Sequence, residues 1–125
     1  MAKQRSRFVR LVILESPYQG ATPAQRRRNR KYAARAMLDS LARGESPFAS
    51  HLLWPGILDD ADPLERHKGI EASLEWLRVA SATVVYKDLG ITEGMKIGIG
   101  RAQMLNKPIE YRSITEVKPP PLSTL

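Results

Sequence analysis

The sequence predicts an α/β fold, a three-layer sandwich in which helices flank a central parallel sheet of about four to five strands. Apolar, β-rich runs alternate with helical segments in the order β-α-β-α-β-α-β, which is typical of right-handed crossovers between parallel strands. The 125 residues suit one compact domain, and 42% hydrophobic and 26% charged residues are average globular values. We therefore expect a basic tail over 1–7, one domain over 8–114 and a proline-rich tail over 115–125.

The first strand and the first helix have clear signals. Phe8 to Leu14 is apolar and β-branched over a strand-like length, and the polar segment 15–20 ends it. Thr22 suits an N-cap, Pro23 suits the first helical position, and no further Gly or Pro occurs before Gly44. The sequence therefore predicts a buried central strand, followed by a helix that Gly44 closes at the C′ position.

The later elements show the same signals, apolar runs for strands and N-cap residues for helices. Pro47–Pro55 is predicted to be a second strand, or an extended segment running into a loop. A helix capped by Asp62 is predicted from Pro63 to about Ala80, followed by a strand over Ala82–Tyr86. The last predicted elements are a helix that Thr92 caps and that extends to about Leu105, and a strand over Ile109–Arg112.

The composition excludes several classes of protein and site. The chain has no cysteine, which eliminates disulfides, thiolate metal sites and cysteine nucleophiles. His51 and His67 lack the spacing of zinc ligands, so we expect no metal and no cofactor. No apolar run reaches the length of a membrane span, and the basic start, Met1 to Arg10, leads into an apolar stretch too short for a secretion signal. The expected location is the cytoplasm.

The positive charge is concentrated at the N-terminal end. Residues 1–35 hold ten Lys or Arg and one acid, Glu15, a net charge of +9, whereas the other ninety residues have a net charge of −2. Such a cationic face attracts nucleic acid, anionic nucleotides or an acidic protein, although a solvated helix face is an equally good interpretation. Arg26 and Arg30 are the candidate phosphate ligands.

Ligands of parallel α/β sheets bind beyond the carboxyl ends of the strands, so the candidate site residues lie in the loops there. The candidate ligand-binding residues are Ser16, Pro17, Tyr18, His51, Asp88, Gly90, Gly94 and Met95. We expect Asp88 to contact a ribose or a base. Tyr18 either stacks on a base or forms part of the core wall, and His51 is either a ligand contact or a packed, hydrogen-bonded side chain.

Two glutamates are the candidate catalytic residues, because two carboxyl groups in different environments suffice for glycosidic-bond chemistry. Glu15 ends the central strand, an uncommon position for an acid that contacts only solvent. Glu93 lies in the first turn of a helix, where its alternative role is to interact with the helix dipole. Further along this helix, Gly98 and Gly100 are predicted to allow close packing against the sheet.

Four motifs carry a resemblance to a known family. They are Glu15-Ser16-Pro17-Tyr18, Pro47-Phe48-Ala49-Ser50-His51-Leu52, Asp88-Leu89-Gly90-Ile91 with Gly94-Met95, and Gly98-x-Gly100-x-Ala102 before Asn106-Lys107-Pro108. The chain resembles the nucleoside 2-deoxyribosyltransferase-like family, and within it the small phage and prophage domains of unassigned function. The resemblance covers about Leu11 to Arg112 and implies a flavodoxin-like, deoxyribosyltransferase-like arrangement of the sheet.

The chain departs from the family at two functional positions. In the transferases, the motif E-x-G-x-A begins with a glutamate that attacks the anomeric carbon and forms a covalent intermediate. Gly98 stands there in this sequence, and Ser81 is the nearest counterpart of the aspartate that the family has before the third strand. The resemblance therefore implies a nucleotide- or nucleoside-binding protein that lacks the covalent nucleophile, a homo-oligomer, and in a phage a role in sequestering a host nucleotide signal.

Two other functions remain open. The first is an N-glycosidic hydrolase or deoxyribosyltransferase that acts on nucleosides or nucleotides through Glu93 or Glu15, with Asp88 in support. The second is a phage protein that binds nucleic acid or a host protein through the basic face between Arg26 and Arg35.

Overall fold

The computed structural model describes residues 10–114, so the predicted tails over 1–7 and 115–125 lie outside the described residues. Four parallel strands form one sheet in the order β2-β1-β3-β4. The strands are β1 (Arg10–Glu15), β2 (Glu45–Phe48), β3 (Ala82–Tyr86) and β4 (Ile109–Arg112). The helices are α1 (Pro23–Ala42), α2 (Ser50–Leu53), α3 (Pro63–Val79) and α4 (Glu93–Met104). The predicted α/β fold with a central parallel sheet is confirmed.

Polar N-caps start the three long helices where the sequence predicted them. The hydroxyl of Thr22 accepts a hydrogen bond from the backbone N–H of Gln25, and Asp62 accepts one from Leu64. Thr92 accepts a hydrogen bond from the backbone N–H of Met95. Each cap gives a partner to an amide that the first helical turn leaves unpaired, which fixes the start of the helix.

The segment after β2 differs from the prediction. Its strand ends at Phe48, and the rest of the predicted extended segment over Pro47–Pro55 folds into α2 and a single 3₁₀ turn, Trp54–Gly56. The Trp54 side chain packs over Gly69 of α3, and its indole N–H donates a 3.1 Å hydrogen bond to Ser73. These contacts with the distant helix α3 favour short helical turns over an extended strand in this segment.

Alternate residues of β1 face opposite layers of the sandwich. Val12 and Leu14 pack with Tyr32 of α1 in one core cluster, whereas Ile13 packs on the other side with Leu77 of α3. Side chains two positions apart in a strand point to the same face. The last residue of β1, at position 15, therefore points to the same layer as Ile13, the layer formed by α3 and α4.

A buried ionic network ties β4 to β2. The Arg112 guanidinium donates two hydrogen bonds to the Glu45 carboxylate, of 2.7 and 2.6 Å, and a third of 3.2 Å to the Tyr86 hydroxyl. Burial opposes the ionisation of Glu45, but hydrogen bonds from Arg112 and Ser40 hold the pKa of this carboxyl below its usual value. Both charges are nearly inaccessible to solvent, so each depends on the other for its stability.

Between residues 10 and 114, no helix is both long and apolar enough to cross a membrane.

Candidate functional site

A cavity of about 490 Å³ opens at the carboxyl edge of the sheet. The chain leaves β1 toward β2 on one side and later returns to β3 on the other, so this edge is the point where the crossovers diverge. Its lining residues come from the end of β1 and the loop after it, from the segment after β2, and from α4 with its N-cap: Glu15, Ser16, Tyr18, Gln19, Ser50, His51, Pro55, Asp60, Thr92, Glu93, Gly94, Met95, Ile97, Gly98 and Arg101.

The Glu15 carboxyl group fills the space beside Gly98. A Cβ atom built on Gly98 would lie 2.6 Å from the Glu15 Cδ atom, closer than two non-bonded carbon atoms can approach. The glycine therefore makes room for a carboxyl group that reaches the helix from the strand. The packing role predicted for Gly98 is confirmed in this form, but that for Gly100 is wrong, because a Cβ atom there meets no neighbour within 4 Å.

The two candidate catalytic glutamates have different environments. Burial raises the pKa of Glu15 from 4.5 to about 7, although the positive charge of Arg101 partly opposes this rise. The Glu93 side chain is 88% exposed and forms a 3.1 Å ion pair with Lys96, three residues further along α4. Glu15 is thus the carboxyl group that can hold or release a proton near neutral pH, while Glu93 has the properties of a first-turn surface residue.

A serine and a histidine lie beside Glu15 in the cavity. The Ser16 Oγ atom is 2.7 Å from the Nε2 atom of His51, and Ser16 is almost inaccessible to solvent. Burial lowers the pKa of His51 to about 4, so the imidazole is neutral at pH 7. The ring of Tyr18 approaches the imidazole edge-on, with 6.3 Å between the centroids. His51 is thus a hydrogen-bonded side chain that also lines the cavity.

Three of the predicted ligand-binding residues do not line the cavity. The Asp88 carboxylate accepts hydrogen bonds from the Tyr32 hydroxyl, at 2.6 Å, the backbone N–H of Ile114 and the Ser113 hydroxyl. These bonds direct the carboxylate toward α1 and the end of β4. Gly90 has a φ of +91°, which explains a glycine in this turn without a ligand, and Pro17 is buried outside the lining.

The candidate phosphate ligands Arg26 and Arg30 also lie away from the cavity. Both are exposed on α1, and Arg26 donates a 2.9 Å hydrogen bond to the backbone carbonyl of Gly20. The cation that lines the cavity is Arg101 of α4. Among residues 10–114, no three His, Asp or Glu side chains are grouped closely enough to hold a metal ion.

Sequence reasoning missed Arg101, although a signal for it was present. Gly94, Gly98 and Arg101 are separated by four and three residues, so they share one face of a helix. The two glycines open this face and the arginine supplies its charge. Ser50, which also lines the cavity, had no comparable signal, because the segment that carries it was expected to be extended.

The fold is similar to that of a solved enzyme. The matching structure is a 2-deoxyribosyltransferase from the psychrotolerant bacterium Bacillus psychrosaccharolyticus, characterised as a biocatalyst for the synthesis of antiviral and antitumoral nucleosides. The TM-score is 0.66 and the sequence identity is 18%, over 83% of this chain and 72% of that chain. This likeness confirms the deoxyribosyltransferase-like fold.

Sequence comparison gives the family of the chain. No curated protein matches it. The model of a family described as a domain of unknown function, DUF7768, matches residues 10–112. The phage origin and the homo-oligomeric state stay predictions. Because the match covers nearly the whole described domain, the chain belongs to the DUF7768 family.

Proposed function

We propose that the cavity binds a nucleoside or nucleotide and that Glu15 acts there as a general acid in the cleavage of the N-glycosidic bond. The observation that carries the proposal is the partly buried Glu15 carboxyl group beside Gly98, with a pKa raised to about 7. A carboxyl group with such a pKa is partly protonated at neutral pH and can donate its proton to a leaving group.

The other residues of the cavity suit the same class of ligand. A volume of about 490 Å³ is within the range of small-molecule sites. Tyr18 offers an aromatic ring to a base, and Arg101 offers a cation to a phosphate group. The solved enzyme of similar fold is described as a suitable biocatalyst for nucleoside synthesis, which favours a nucleoside-like ligand for this chain as well.

The proposed reaction is hydrolysis. The electron pair of the bond between C1′ and the base nitrogen moves to the base, which takes the proton of the Glu15 carboxyl group. Water forms the new bond to C1′ and loses a proton to solvent, and Glu15 then takes up a proton again. Because only protonated Glu15 can act as the acid, the rate of base release should fall as the pH rises through about 7.

Binding without turnover is the second candidate function. The observation in its favour is the absence of a side chain at Gly98, where the resemblance implies a covalent nucleophile. In this case the Glu15 carboxyl group only shapes the cavity and accepts or donates a hydrogen bond. A protein of this kind would sequester its ligand, which is the role expected of a phage protein that removes a host nucleotide signal.

The test combines base release with calorimetry on a panel of deoxynucleosides, ribonucleosides and their 5′-monophosphates. Base release is followed by chromatography for the natural chain, for Glu15→Gln and for Glu93→Gln. The last variant is the matched control, since its carboxyl group is exposed and paired with Lys96. We expect release by the natural chain and by Glu93→Gln, and none by Glu15→Gln.

The outcomes separate the two candidates. Release that persists in Glu15→Gln would remove Glu15 from the reaction. Heat of binding for some ligand, with no base release from any substrate, would favour the second candidate over the first. The absence of both heat and release over the whole panel would refute both.

A further inference from the structure

A second recess lies along the exposed side of α1, outside the candidate site. Its volume is about 460 Å³, and none of its lining residues lines the first cavity. The lining consists of four cationic side chains and a few apolar ones: Arg27, Arg28, Lys31, Arg35, Ala24, Tyr32 and Leu89. The recess is therefore a separate surface whose chemistry is dominated by positive charge.

The cations of this surface are not paired with acidic side chains. Within residues 10–114, none of its four cations forms an ion pair; the Arg28 guanidinium has only a 3.5 Å contact with the Asn29 side chain. The only acid of α1 is Asp39, near the far end of the helix, where Tyr86 and Arg43 donate to it at 2.5 and 2.8 Å. Asp88 adjoins Leu89, and its carboxylate accepts a hydrogen bond from Tyr32, so one acid borders the recess beside the four cations. The recess therefore keeps a net positive charge and a positive field.

The cations form a regular row. Arg27, Lys31 and Arg35 follow each other at intervals of four residues, so they lie on one side of α1, about 6 Å apart along its axis. A solvated helix face needs no such order. A row of this kind matches a linear polyanion, whose charges also repeat along one direction, better than it matches a compact anion.

An apolar side chain lies beside this row. Leu89 is 37% exposed and lines the recess together with the cations. The flat face of an unpaired base can pack against such an apolar side chain, whereas in a duplex the faces of the bases are stacked on each other and out of its reach. Arginine, which supplies three of the four cations, also binds phosphate with two hydrogen bonds at once. We propose that this recess binds the phosphate backbone of a single-stranded nucleic acid.

The proposal predicts the salt dependence of binding. Each phosphate neutralised on a single strand contributes about −0.7 to the slope of log K against log salt concentration. Four cations therefore contribute about −3, which corresponds to an affinity loss of about 50-fold between 50 and 200 mM salt. With no aromatic ring exposed in the recess, binding should show little preference for base sequence.

The experiment titrates the full chain into a fluorescent single-stranded oligonucleotide at several salt concentrations. The test variant is the triple replacement Arg27→Gln, Lys31→Gln, Arg35→Gln. The control removes three cations from α3 and α4 instead, as Lys68→Gln, Arg78→Gln, Lys96→Gln. We expect the test variant to bind more weakly, with a slope less steep by about 2, and the control to behave as the natural chain.

Four results would overturn the proposal: no binding at 50 mM salt, a slope close to zero, equal losses in the two triple variants, or a duplex that binds more tightly than the single strand. Poly-glutamate, added as a competitor at equal charge, tests the remaining alternative. If it displaces the oligonucleotide completely, the surface is suited to an acidic protein instead. Release of bases in the first cavity should be the same in both triple variants, so failure here and failure of the proposed catalysis are distinguishable.

Discussion

Replacement of Gly98 by alanine tests the contact on which the candidate site depends. The new Cβ atom would lie 2.6 Å from the Glu15 Cδ atom, so the two groups cannot keep their positions. The carboxyl group is the end of a flexible side chain, whereas the helix backbone is held by its hydrogen bonds. We therefore expect the carboxyl group to move out of its partly buried position toward solvent and α4 to remain intact.

The size of the effect follows from the pKa of Glu15. Its folded-state pKa, about 7, is above the usual value of 4.5, so between these values the folded state binds more protons than the unfolded state. The free energy of unfolding of the natural chain therefore falls as the pH rises from 4.5 to 7, by about 3 kcal/mol from this group. In Gly98→Ala the exposed carboxyl group should return toward its usual pKa, and this loss should largely disappear.

Gly100→Ala is the matched control, because it makes the same change in the same helix without any contact within 4 Å. Alanine stabilises a helix relative to glycine by up to about 1 kcal/mol, and this gain is shared by both variants. Urea unfolding at pH 5 and pH 8 measures the difference in pH dependence, and carbon-13 NMR of the Glu15 carboxyl group measures its pKa. If Glu15 still titrates near 7 in Gly98→Ala, the argument from crowding is wrong.

Two further predictions concern His51, which is partly buried, and the buried pair of Arg112 and Glu45. His51 has a folded-state pKa of about 4, below the usual 6.5, so between these values the unfolded state binds more protons than the folded state. The free energy of unfolding of the natural chain should therefore fall by about 3 kcal/mol from this group as the pH falls from 6.5 to 4. In His51→Asn this decrease should be absent, as measured by urea unfolding across that pH range. Arg112→Ala leaves the Glu45 carboxylate buried without its main partner. Urea unfolding at pH 7 should therefore show a free energy of unfolding that is lower by about 3 to 5 kcal/mol. The control Arg78→Ala removes an exposed arginine and should change the free energy of unfolding by less than about 1 kcal/mol. An equal effect of the two arginine variants would contradict the role given to the ionic network.

The fold was predictable because its signals are local. Strands such as Ala82–Tyr86 are short, β-branched runs, and each long helix starts at a polar cap that the sequence shows directly. The segment after Phe48 was not predictable in this way. Its helical turns depend on the contacts of Trp54 with Gly69 and Ser73, which are far away in the chain. Local patterns carry no information about such contacts.

The candidate site was predictable only in part, for a related reason. The carboxyl edge of a parallel sheet is a general location for ligands, which is why Glu15, Ser16 and His51 could be named. The direction of a side chain is a separate question. Asp88 follows a buried strand as a ligand-binding residue would, but Tyr32 and the end of β4 supply its partners. No spacing in the sequence indicates that the Asp88 carboxylate bonds to these groups and does not face the cavity.

The crowding between Glu15 and Gly98 also limits how this domain can diverge. The two positions compete for one volume, so a residue with a side chain at 98 requires a smaller or differently directed residue at 15. Across homologous chains, positions 15 and 98 should therefore vary in a correlated way, with a long acidic residue at one of them but never at both. A homologue with an acidic residue at position 98 of the helix and a small residue at position 15 of the strand would place a carboxyl group in the same volume that Glu15 fills here.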